Sequence, residues 1–287
     1  MWEQLLDTLG NSHFEAYVAG PALGVIFGVI FNALGKPPGP DEANRSPDDV
    51  RQDIKEKRQS RSGTRDVHHH HHHHYDRSSG DDGAAPIVIV GLIMVVALFL
   101  FALYLPQIAG SLYFFNTTVA MCCITAAVLA LLTGRFNTSE WWLHAIFPAA
   151  ISLGCFWLTV RARNEISSDV IAYAQSLIAN EPMNIGVVLS AAFKFFKSLG
   201  NDYTQWLMFD MVAFICIIVC GVMALLRFVY YISLSNARES SRGLWAALAL
   251  QTERFSGTGS VVFVLILFAL GTSLATGQVY QWTHPTV

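Results

Sequence analysis

Residues 86–106 read PIVIVGLIMVVALFLFALYLP, 21 positions without a single charge. A helix of about 20 apolar residues spans the ~30 Å hydrocarbon core of a bilayer. Lipid offers no hydrogen bond to the backbone, so such a stretch must satisfy its own peptide groups and reads as a membrane-crossing helix. Five further apolar stretches accompany it, at 17–34, 112–132, 141–160, 207–226 and 261–280. Together they predict an all-α integral membrane protein. The expected form is a bundle of about six transmembrane helices with additional interfacial amphipathic helices and one long disordered loop.

Composition agrees with lipid as the solvent. Only 14% of the 287 residues are charged, against about 25% in soluble domains. A net charge of -3 argues against a nucleic-acid partner. All five cysteines fall inside predicted spans, where a thiol acts as a small apolar group, so no disulfide framework is expected.

The chain divides by composition. Residues 1–35 hold an amphipathic N-terminus, with Trp2, Leu5, Leu6 and Leu9 on one helical face, and the first span. Residues 36–85 are polar and rich in Pro, Gly, Ser and histidine, with little to bury, which predicts a disordered loop. Within it a short helix over 47–59 is expected, with Ser46 as N-cap and Asp48 and Asp49 in the first turn. Residues 86–160 carry three spans joined by short turns at 107–111 and 134–140. Residues 161–206 read as interfacial amphipathic helices, with Phe193, Phe195 and Phe196 toward lipid and Lys194 and Lys197 toward water; a re-entrant half-helix over 185–199 is the alternative. Residues 207–287 hold two spans with an amphipathic segment between them.

Of the 18 Lys and Arg residues, 14 fall on alternate segments, chiefly 36–85 and 227–260. The positive-inside rule places those two loops on the cytoplasmic or matrix side and both termini opposite.

Four features carry the candidate sites. Gly20, Gly24 and Gly28 recur every four residues with Asn32 one turn on, a stripe that lets another helix approach closely and bond to the amide. It serves packing within the chain or a contact between subunits. Asp210 and His144 are ionisable groups within spans, a possible ion or proton site because burying them is costly. His68, His69, His70, His71, His72, His73 and His74 form an unbroken imidazole run that suits zinc, nickel or copper; a purification tag and a low-complexity accident are the competing explanations. Cysteines at 122, 123, 216 and 220 are ordinary membrane-helix residues or soft-metal ligands.

No phosphate-binding loop, HExxH, GxSxG, paired intramembrane acids or selectivity-filter pattern is present, so no catalytic residue and no cofactor is assigned. The expected function is a non-catalytic polytopic membrane subunit, a scaffold or accessory component of a larger membrane complex. The alternative is a channel or transporter for a cation or divalent metal. The expected partners are the lipid bilayer and either other membrane subunits or further copies of the chain.

Overall fold

A computed structural model describes residues 15–34, 44–59, 85–134, 138–179, 184–237 and 243–283. Among these the regular structure is helical throughout, with no strand. In chain order come α1 (Gly20–Ala33), entered through a π-helical turn at Glu15–Ala19, α2 (Pro47–Gln59) and α3 (Ala85–Leu132). They are followed by α4 (Ser139–Glu165), α5 (Ser168–Ser176) and α6 (Ile185–Asn236). The chain closes with α7 (Leu244–Thr252), α8 (Thr258–Ala275) and α9 (Gln278–Thr283).

Four of these, α3, α4, α6 and α8, are long and apolar enough to cross a membrane, and α1 is a shorter apolar helix. The chain thus fits an integral membrane protein, with four such helices where the sequence predicts about six spans. The largest difference lies in α3. The turn expected at 107–111 is absent, and 86–106 and 112–132 form one helix of 48 residues running through Pro106. Proline removes one backbone hydrogen bond, but QIAGS holds nothing else that stops a helix, and the flanking apolar residues continue the buried face. Leu98, Phe99, Ala102 and Leu105 before the junction and Ala109 and Leu112 after it enter the same core.

The expected amphipathic helix at 185–199 and the fifth span remain two helices within α6, separated by a kink at Gly200, where φ is 76° and ψ is 167°. That left-handed backbone suits glycine, which has no Cβ to clash. The early part of α6 folds back on α3: Phe195 is fully buried, its ring 5.6 Å from Phe99 and 6.1 Å from Tyr173 of α5. Phe195 therefore faces the bundle, while Phe193 stays exposed.

Ring contacts and close approaches set the helix directions. Tyr17 and Tyr113 both meet Phe156, and the next turns of α1 follow α3 from Thr118 to Thr125. α1 therefore runs parallel to the second half of α3, and α4 returns antiparallel. α6 brings Cys220 to Val264 of α8 and Trp141 of α4 to Tyr231. One core lies between α3, α4, α6 and α8, and a second gathers at the end of α4 that carries Trp141.

At that second end α2 docks, with the boundaries expected from the sequence. Ser46 and Asp49 cap it reciprocally: the Asp49 N–H donates to Ser46 Oγ at 3.2 Å and the Ser46 N–H to Asp49 Oδ2 at 3.0 Å, a capping box. Val50 and Ile54 bury against the bundle, and the Trp141 indole donates to the Arg45 carbonyl at 3.0 Å. Arg51 and Lys55 both donate to Glu253, just past α7, the lysine at 2.6 Å. Burial alone raises the Glu253 carboxyl, but hydrogen bonds and charge from Lys55 and Arg51 outweigh it and hold it below the ordinary value of 4.5.

A carboxyl held low in the folded state contributes stability above its ordinary range and loses it as pH falls. Glu253→Gln should mimic that loss at neutral pH. With a cysteine in place of buried Ile54 as reporter, the variant should label about five-fold faster, matching the ~1 kcal/mol upper end for partly exposed pairs. An unchanged rate would mean that Val50 and Ile54 alone hold α2.

Candidate functional site

The glycine stripe builds a backbone-close contact with α3. Gly20, Gly24 and Gly28 are buried while Ile26, Val29 and Ile30 on the other side of α1 are exposed. A Cβ on Gly24 would sit 2.5 Å from the Thr118 carbonyl oxygen and 2.8 Å from Met121 Cβ; one on Gly28 would sit 2.7 Å from Thr125 Cβ. The stripe therefore meets α3 of the same chain at backbone distance. Asn32 follows on this face, in a narrow gap shared with Ala130, Tyr231 and Asn236. There the Asn236 side-chain amide donates to the Phe31 carbonyl at 3.5 Å.

Asp210 lies on α6, 1% exposed, between buried Leu207 and Ala213. Neither carboxylate oxygen has a hydrogen-bond partner of ordinary geometry among the described residues, though Glu165 and the Trp206 indole lie close enough to act on it. A buried carboxylate so placed is either protonated or balanced by a bound cation. His144 sits at the opposite end of the bundle, half-buried on α4, its ring centroid 5.8 Å from Tyr230. The two predicted ionisable residues therefore do not share a site. His68 through His74 lie outside the described residues.

Two groups escape the sequence reading. Arg227, counted there with the basic segment 227–260, is 3% exposed because α6 continues through it to Asn236. Its guanidinium carbon stands 5.0 Å from the Phe147 ring centroid, a cation–π contact. Its Nε and Nη1 have no hydrogen-bond partner among the described residues. Asn116 of α3 is fully buried with both amide atoms unpartnered. Its oxygen would lie 3.0 Å from a Cβ on Gly221, so glycine there makes room for the amide. A polar residue in an apolar run was the available signal for Asn116; no local signal announced that Arg227 is inside.

Among the described residues, no group of three or more His, Cys, Asp or Glu side chains could hold a metal ion. The five cysteines are buried and free. What the arrangement presents is two isolated ionisable groups, an acid at one end of the bundle and a guanidinium toward the other. Compared with protein-family models, characterised proteins and solved structures, the chain matches none.

Replacing Gly24 by leucine should destabilise the protein by at least the about 1–3 kcal/mol of an overpacked core. It reads out as a lower unfolding temperature in detergent. The control is Gly259→Leu at the start of α8, where a Cβ meets nothing within 4 Å, and it should unfold with the wild type. Equal unfolding of all three would remove the α1–α3 contact from the account.

Proposed function

We propose that the chain is a non-catalytic polytopic membrane subunit, a scaffold or accessory component of a larger membrane complex. One observation carries this reading: the apolar helix at Ile89–Leu132 is 44 residues long. At about 1.5 Å per residue it measures roughly 66 Å, more than twice the ~30 Å hydrocarbon core. Lying wholly within that core would require a tilt of roughly 60°, beyond the 0–40° range of membrane helices. A large part of an unusually apolar helix is therefore outside the hydrocarbon. α5 and the start of α6 cover its stretch around Leu98 and Phe99, but Ile89, Val90 and Ile93 are 57%, 61% and 62% exposed. A partner that covers them, another subunit or a second copy, removes the cost of wetting them. The basic elements support the topology proposed with it: α2 and Arg254 gather at one end of the bundle, which we place on the cytoplasmic or matrix side.

Native mass spectrometry after mild-detergent extraction tests the proposal. The wild type should run as an assembly, and Ile89→Ser combined with Ile93→Glu should release a folded single chain. Single chains from the wild type under conditions that preserve other membrane complexes would overturn it.

Buried, unpartnered Asp210 favours a second reading, a channel or transporter for a cation. In liposomes, Asp210→Asn should then cut cation or proton flux by at least tenfold while assembly is retained. Equal flux from both proteins, or none from either, dismisses this reading and leaves the first standing.

A further inference from the structure

Between α1, α3, α6 and α7 lies a cavity of about 470 Å³, within the about 300–1,000 Å³ range of small-ligand sites. Its walls include Phe27 and Phe31 of α1, Phe115 and Val119 of α3, Val229 of α6 and Trp245 of α7. Four lining residues carry a side-chain heteroatom, Thr118, Cys122, Ser233 and Trp245, but the surface turned to the space is entirely apolar. The Thr118 hydroxyl is spent on the Phe114 carbonyl at 2.7 Å. The Ser233 hydroxyl is buried away from it, and the Cys122 thiol is a weak donor. A water molecule needs two to four polar partners to be held in such a space, so the walls suit hydrocarbon and not water.

Location selects which hydrocarbon. The cavity borders the second half of Ile89–Leu132 and the apolar part of α6, and its wall residues run out onto the exposed apolar surface. Phe27 is 43% exposed and Leu244 is 67% exposed. The site is thus continuous with the protein–lipid interface, where acyl chains are the abundant flexible, apolar ligand. α7 closes it from above. This short helix starts after Gly243, at φ 109°, and is pinned on the bundle through Ala246 and Ala249, leaving Trp245 and Leu248 on the cavity.

We propose that this cavity is a lipid site that holds one acyl chain of a bilayer phospholipid, roofed by α7. The observations behind it are independent of the subunit reading. Native mass spectrometry of the full chain released from detergent is the test, comparing wild type with Val229→Trp, which fills the cavity from α6. The wild type should keep one phospholipid-mass adduct per chain, and the variant should lose it at least tenfold. Equal retention by both places the lipid elsewhere and overturns the proposal; so do wild-type chains free of lipid, whether single or joined to a second copy. A second readout avoids the space-filling variant. In phosphatidylcholine vesicles with brominated acyl chains, the wild type should be quenched more than Trp245→Phe, the difference reporting Trp245 against an acyl chain. No difference overturns the site.

Discussion

Lipid offers a peptide group nothing to bond to, and this constraint governs the rest of the molecule. Every backbone amide within the hydrocarbon must be satisfied inside its own helix. Side-chain hydroxyls in these helices follow the same economy. Thr117 and Thr118 donate to carbonyls of the preceding turn of α3, Thr159 to one in α4 and Thr272 to one in α8. With polar groups satisfied locally, helices associate through shape. Two helix backbones come close where glycine removes the side chain, at Gly24 and Gly28 against α3.

Against that background the few polar groups that are not satisfied stand out. Asn116, Asp210 and Arg227 are buried in α3 and α6, where each unpartnered group costs on the order of a few kcal/mol. They are placed at different heights, so they do not neutralise one another. The apolar cavity beneath α7 is the opposite case, a space whose walls have been stripped of bonding capacity. One kind of site places a polar or ionisable group where the medium disfavours it. The other is lined as the medium is.

Much of the fold was legible in the residues. The capping box at Ser46 and Asp49 and the run of charges after it announced α2 to the residue, because capping is a local interaction. The glycine stripe announced a close helix contact, because four-residue spacing puts Gly20, Gly24 and Gly28 on one face. The partner of that stripe was not legible, since any helix of suitable shape could supply it. Nor was the continuity of α3. Two membrane-length apolar runs with a proline and a glycine between them read as a hairpin, although the same residues also fit one long helix. Packing against α4, α5 and α6 decides between them.

The candidate sites divide in the same way. Asp210 was visible as an acid in an apolar run, but its burial was not, since a residue near the end of a span can also reach the interface. Arg227 was invisible, because a basic residue at the end of a span reads as a loop charge until the helix is seen to continue past it. The cavity is made by residues from four helices, more than two hundred positions apart, that share no local pattern. By itself the sequence determined that this chain is helical and apolar, where its polar α2 begins and ends, and which faces carry glycine. Those properties depend on neighbours within a turn or two and on the solvent. Only the tertiary structure decided which helix meets the glycines, that α3 is uninterrupted, and where charge and empty space lie, because these depend on contacts between segments distant along the chain.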